Sequence, residues 1–194
     1  MKKTNKLSII SLSALLISLC VFTGQLHAEV NLELQRSSIV IVSEPEFTFH
    51  AKSSFSWAKN YADISGALKK SEFSVQQLID TAITQALKNK GLNLGAPAEN
   101  SLLIKYHVSL ESEMDDTALA INYGLAPGLR ANSVATKKHE RGTLVVDFID
   151  PKLNKVVWRG AIGVFTGIES TQQARQQRVN MLLSELFKGL PASH

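Results

Sequence analysis

Histidine is the side chain best suited to ligate a metal or to move a proton near neutral pH. Beyond residue 28 the chain has four, His50, His107, His139 and His194, and no two stand at the close spacing of a zinc motif. The single cysteine, Cys20, lies in the N-terminal segment and adds no ligand to them. No metal and no cofactor are expected. Asp147 and Asp150 are of the right type for paired acid–base chemistry. Three residues apart on a strand, however, they point to opposite faces. Asp150 beside Pro151 fits a turn better. No serine stands in a Gly-x-Ser-x-Gly elbow, and no glycine run has the spacing that cradles a phosphate. These residues assemble no recognisable catalytic set.

Four residues remain as surface candidates: His107, Asp147, Arg159 and Tyr123. Neighbours on a strand point opposite ways, so Trp158 is expected in the core and Arg159 outside, where it can pair with Asp147 across a hairpin. Tyr123 opens an apolar, glycine-containing stretch, Tyr123-Gly124-Leu125-Ala126-Pro127-Gly128-Leu129, either a mobile loop or a contact for a protein partner or a lipid. Arg175 and Arg178, set among glutamines, read as a solvated helix face and not as a nucleic-acid stripe.

The elements that would position these groups follow from periodicity. Ile39 to Val42 is a short apolar run stopped at Glu44-Pro45-Glu46, either an edge strand or an extended lead-in. Alternation from Phe47 to Trp57, interrupted at Ser53-Ser54, predicts a strand with a bulge. Residues 58–72 read as a connecting loop with a helical turn near Ala67-Leu68. Ser74 with Gln77 makes a capping pattern. Behind it Val75, Leu78, Ile79, Ala82, Ile83, Ala86 and Leu87 fall on one helical face, and Gly91 closes the helix. Leu102 to Leu110 is a strand with His107 and Lys105 opposite its apolar face. Residues 111–140 form a long connection, of a length that is usually functional, disordered or hiding a strand, with 117–125 the candidate for such a strand. Leu144 to Ile149 and Val156 to Val164 make a hairpin around Asp150-Pro151-Lys152-Leu153-Asn154, with Gly160 and Gly163 either relieving crowding or marking a bulge. A last helix runs from about Ser170 to Lys188, capped by Ser170 or Thr171. The expected fold is α+β: a largely antiparallel sheet of about four strands with two helices packed on one face. The other face, carrying His50, Lys105, His107, Asp147 and Arg159, is expected to be exposed.

The hairpin residues Gly142-Thr143-Leu144-Val145-Val146-Asp147, then Asp150, then Val157-Trp158-Arg159-Gly160, resemble the bacterial domain of unknown function 4136 family. Weaker pieces of the likeness are Phe55-Ser56-Trp57-Ala58, Lys90-Gly91-Leu92 and Leu102-Leu103-Ile104-Lys105-Tyr106-His107, so that it spans roughly residues 47–190. Ser101 and Lys105 stand where that family more often carries acids. The resemblance implies an envelope protein of Gram-negative bacteria, secreted or lipid-anchored, and no catalytic residue.

The N-terminus supports the same compartment. Lys2, Lys3 and Lys6 precede an apolar run from Leu7 to Phe22, and Leu26-His27-Ala28 sets a small residue before a cut between Ala28 and Glu29. The run is too short to span a bilayer, which takes about 20 residues. Leu19 before Cys20 is too bulky for a lipoprotein site, so a periplasmic protein is expected ahead of one anchored through Cys20. Three of the 21 Lys and Arg lie in this segment and none of the 17 Asp and Glu, leaving 18 basic against 17 acidic side chains beyond it. The basic balance of the whole chain is therefore no argument for a nucleic-acid partner. The chain divides as signal peptide 1–28, lead-in 29–46 and one α+β domain 47–190. Its expected role is a non-enzymatic envelope module that binds a protein or lipid. The alternatives are a hydrolase or transferase built near His107 and Asp147, or a structural subunit of an envelope assembly. Oligomeric state stays open. The intact mass of the chain recovered from the envelope is expected to match residues 29–194 without lipid; a diacylated mass starting at Cys20 would establish the anchored form.

Overall fold

The computed structural model describes residues 32–47, 54–70, 74–96, 101–134 and 136–190. The expected signal segment, Cys20, the Ala28–Glu29 cut, His50 and His194 lie outside them. Residues 32–36 belong to a separate N-terminal unit and make a single helical turn, across which Arg36 meets Glu33 at 3.7 Å.

From Ser37 onward the chain builds a six-stranded sheet. Its strands are β1 (Ser37–Ser43), β2 (Ser54–Ile64), β3 (Asn93–Leu94), β4 (Leu102–Leu110), β5 (Arg141–Asp150) and β6 (Lys155–Phe165). The helices are α1 (Gly66–Lys69), α2 (Val75–Asn89), α3 (Asp116–Tyr123) and α4 (Gln172–Lys188), with a 3₁₀ turn at Thr136–Lys138. The sheet order is β1-β6-β5-β4-β2-β3. Neighbours are antiparallel from β1 to β4, while β2 runs parallel to both β4 and β3. The α+β class is as expected; the four-stranded, largely antiparallel sheet is not. The helix α2 carries the chain from β2 back along the sheet, and such a crossover sets the strands at its two ends parallel. The run Ile39 to Val42 is the edge strand β1.

Local chemistry explains the helix ends. The Ser74 hydroxyl accepts the Gln77 N–H, and Thr171 does the same for Ala174. At the far end of α2, Gly91 adopts φ +73° while the Leu92 N–H reaches back to the Leu87 carbonyl and the Gly91 N–H to Lys88. That is a Schellman closure, and buried Leu87 and Leu92 supply its apolar contact. In the hairpin turn, Asp150 accepts the Lys152 N–H at 2.8 Å and Asn154 takes φ +49°.

Both long helices press on one sheet face. Ile79, Ile83 and Leu87 of α2 and Leu183, Leu186 and Phe187 of α4 pack against Phe55, Ile104, Tyr106, Val146, Phe148, Trp158 and Ile162. Trp158 is buried as expected, stacked 4.9 Å from Phe148. A register shift between Phe148 and Ile149 brings Val157 into the same core, where strict alternation from Trp158 would have turned it outward. A Cβ on Gly160 would stand 2.5 Å from the Trp158 ring and 2.7 Å from Leu186, so α4 can approach β6 only where that residue is glycine.

The stretch 58–72 departs most from expectation. The strand β2 continues through it to Ile64, and only Gly66–Lys69 forms the anticipated helical turn. Trp57 pairs with Ile104, but Ala62 pairs with Tyr106: five steps along β2 match two along β4. Asn60, at φ +53°, lies in the excess. The excess is three residues, an odd number, so every later side chain of β2 changes face.

One buried polar contact ties α2 to the sheet. Asp80 accepts the hydroxyls of Tyr106 and Tyr61, each at 2.8 Å. Burial first, and then the Asp80 carboxylate, push the Tyr106 phenol well above its ordinary value of 10.0. In the folded chain the phenol stays neutral where the unfolded chain ionises, so its contribution is complete below about pH 10 and is lost as pH rises beyond. Urea unfolding from pH 9 to 12 should show stability falling less steeply for Tyr106→Phe than for the parent. Equal slopes would dismiss this phenol as the alkaline-sensitive group.

Candidate functional site

The sheet face opposite the long helices carries the groups singled out in the sequence, but it is covered. Alternation places Lys105, His107 and Ser109 of β4 there, together with Val145 and Asp147 of β5 and Arg159, Ala161 and Gly163 of β6. Residues 111–139 fold back across this face. Within them 117–125 take in helix α3 from its second residue, the cap Gly124 and Leu125, not the expected strand. The Asp115 carboxylate caps α3 through the Ala118 N–H, and Gly124 ends it at φ +72°. Leu119 and Leu125 are buried against Val145 and Ala161, forming a second, smaller apolar cluster. A Cβ on Gly163 would lie 3.0 Å from Pro127, so the loop rests directly on that glycine. Lys105 remains exposed, whereas His107 and Asp147 are each only 8% exposed.

The expected Arg159–Asp147 pair exists and is a two-pronged one. Arg159 Nε donates to Asp147 Oδ1 at 2.5 Å and Nη2 to Oδ2 at 2.6 Å. Hydrogen bonding to Asp147 raises the Arg159 pKa above its ordinary value despite the opposing cost of burial. Its remaining nitrogen, Nη1, donates to the Tyr123 carbonyl at 2.6 Å, and the guanidinium lies 5.2 Å from the Tyr123 ring centre. Tyr123 also stacks on His107, with ring centres 5.3 Å apart. Burial, followed by the charges of Asp63 and Asp147, raises the Tyr123 pKa.

The carboxylate beside His107 is Asp63, which the sequence reading had placed in a loop. His107 Nδ1 lies 3.0 Å from Asp63 Oδ2. An ionised carboxylate only accepts, so Nδ1 carries the hydrogen in this contact. Nε2 is buried with no partner among the described residues, as is the hydroxyl of Ser109 two residues along the same face. Asp63 reaches this face because of the excess residues in β2. Glu113 stands nearby and accepts the Ala67 N–H at 3.1 Å.

A second arginine fixes the other end of the covering segment. Arg141 Nε donates to Glu111 at 2.7 Å and Nη1 to Asp116 at 3.3 Å, with further bonds to Glu111 and to the Leu129 carbonyl. Its bond to Arg141 holds the Glu111 carboxyl below the usual range. His139 Nδ1 lies 3.0 Å from the Thr166 carbonyl and closes the segment onto the turn after β6. Sequence reading passed over Arg141 because nothing in its neighbourhood marks what it will touch.

The four sequence candidates thus converge: His107, Asp147, Arg159 and Tyr123 form one connected cluster, joined by Asp63. His107 and Asp147 are not partners in it, since each binds a different group. Among the described residues, no three His, Cys, Asp or Glu gather as a metal site. A cavity of about 120 Å³ opens elsewhere, between the N-termini of α2 and α4 beside Ser74, Leu78 and Arg175.

A model of the domain of unknown function DUF4136 matches residues 41–192. The chain belongs to the DUF4136 family. No curated protein matches it. Among solved structures, the PelC dodecamer from Paraburkholderia phytofirmans is similar with a TM-score of 0.51 at 9% identity, over 82% of this chain and 100% of that one. A point variant of that PelC gives a TM-score of 0.45 at 10% identity, over 78% and 97% of the two chains. A PDZ domain protein from Parabacteroides distasonis gives 0.42 at 14% identity, over 82% of this chain but 38% of that one. At these identities the likeness concerns the fold. No described helix of this DUF4136 member is long and apolar enough to cross a membrane.

Removing one partner of a buried, doubly bonded ion pair leaves the other charge stranded, which costs roughly 3–5 kcal/mol. With side chains 21% and 11% exposed, the Arg159–Asp147 pair belongs at the low end of that range. Arg159→Ala is expected to lose about 3 kcal/mol in urea unfolding. Amide exchange in α3 should accelerate beyond that of α4. Joint replacement by Arg159→Met and Asp147→Leu should recover most of the loss.

Proposed function

We propose that this DUF4136 member is an exported envelope protein that acts by binding and not by turning over a substrate. The observation that carries this is the use made of the polar face. Asp147 spends both oxygens on Arg159, Arg159 spends its third nitrogen on the Tyr123 backbone, and the Tyr123 ring lies over His107. Groups engaged in this way hold α3 to the sheet. A general acid or base must instead come within hydrogen-bond reach of a substrate. The envelope location rests on the basic and apolar start of the chain and on the cut expected after Ala28.

A second reading, a structural subunit of an envelope assembly, is favoured by the fold likeness to a protein that forms a dodecamer. Light scattering on the full chain separates the two: a monomer supports the simple binding module, a defined oligomer the subunit.

The binding role is tested by incubating the purified chain with esters, glycosides, peptides and phosphate esters. No turnover above the level of a His107→Gln, Asp147→Asn double variant is expected. Turnover that this double variant abolishes while remaining folded would establish an enzyme instead.

A further inference from the structure

The strand β1 ends the sheet, and among the described residues it pairs only with β6. An unpaired edge exposes a row of N–H and C=O groups, and soluble proteins commonly protect such edges with charge, proline or a bulge. The edge Ser-Ser-Ile-Val-Ile-Val-Ser has none of these in its seven residues. Its partly open side chains divide by face. Ile39 and Ile41 lean on the main core, Val40 on the smaller cluster beneath α3, and Val42 is 53% exposed.

We propose that β1 is a self-association edge, pairing antiparallel with β1 of a second copy of this chain about a two-fold axis at Val40. The occupant is argued from complementarity. In this register Val40 faces Val40, Ile39 faces Ile41, Ser37 faces Ser43, and no like charges meet. The residues bonded to either end of the strand are Arg36 and Glu44, and the same register sets them opposite one another twice, once on each side of the axis. Shifting the register by one residue would break this match and turn each strand's apolar residues against the other face. Pro45, just past Glu44, stops the ladder at that point. Arg36 already meets Glu33 at 3.7 Å and Glu44 meets Lys155 at 2.9 Å, but the Arg36 and Glu44 side chains stay 43% and 42% exposed, and each remains open to a second partner. Pairing of this kind is isologous: it closes on itself and joins two sheets into one. It also removes the exposed edge. The inference deepens the assembly reading above and rests on it only for the presence of a second copy.

The test uses the full chain carrying Cys20→Ser, so that an introduced cysteine is its only thiol. Directly opposed cross-strand Cβ atoms lie about 4.5–5.5 Å apart, the closest of them in non-hydrogen-bonded pairs, where they meet the upper end of the roughly 3.5–4.5 Å that a disulfide spans. Val40→Cys should therefore give a disulfide-linked dimer on mild oxidation. Val42→Cys should not, because it faces Ser38 and its symmetry mate lies four residues along, about 13 Å away. In sedimentation equilibrium, Arg36→Glu should weaken the dimer about three- to tenfold, and Glu44→Arg added to it should restore the parent affinity. A chain that stays monomeric at about 100 µM, a concentration at which even weak pairing is populated, overturns the proposal, as does equal crosslinking at the two positions. An oligomer that Val40→Cys does not crosslink overturns the pairing and leaves the assembly reading standing. The charge variants lie outside the core, so their result stands even if a cysteine variant folds poorly.

Discussion

Everything on the second face of this domain depends on two arginines reaching across the sheet. Arg141 at the start of β5 and Arg159 in β6 each bind carboxylates and, beyond them, a backbone carbonyl of the covering segment. Apolar contact helps to hold that segment through buried Leu119, Leu125, Pro127 and Leu129 among its described residues. Directed, charge-assisted bonds add to this burial, and guanidinium suits the task because one group can bind a carboxylate with two nitrogens and a carbonyl with a third.

The same requirement explains why polar groups are buried between layers. A sheet face of valine and alanine alone would hold α3 without fixing where it lies. Anchoring the Tyr123 carbonyl to Arg159, and capping α3 through Asp115 beside the Asp116–Arg141 contact, determines both ends of the helix. The long helices need no such device. They bury broad apolar stripes against Phe148, Trp158 and their neighbours, and caps at Ser74 and Thr171 suffice to set their ends.

Legibility in the sequence follows this division. Elements whose burial is apolar and periodic were readable: α2, α4, β4 and the β5–β6 hairpin all occur near their expected places, as do the core position of Trp158 and the Arg159–Asp147 pair. Failures occur where periodicity is interrupted. The alternation of β2 breaks at Ala58-Lys59-Asn60, which reads as loop because it is loop-like within a strand. The helix α3 has only one buried residue, Leu119, and so presents no stripe to read. Strand direction was also hidden, because parallel pairing of β2 with β4 leaves no local mark in either strand. The covering of the polar face was missed for a related reason: its determinants, Arg141 and Arg159, act on residues 12 and 36 positions away.

The irregular stretch of β2 has a consequence that reaches the polar cluster. In a regular strand Asp63 would share the face of Phe55 and Trp57 and would lie against the long helices, where an ionised carboxylate is costly to bury. The odd number of extra residues turns it to His107 instead and sends Ala62 and Ile64 inward in its place. One local irregularity therefore does two things: it keeps the core apolar, and it gives the buried imidazole a hydrogen-bond partner at Nδ1. Bulges conserve pairing while re-aiming side chains, and here the re-aimed side chain remains 56% exposed. Asp63 is thus the one member of the cluster that water reaches freely, and the polar layer communicates with solvent through it and not through the sealed Asp147.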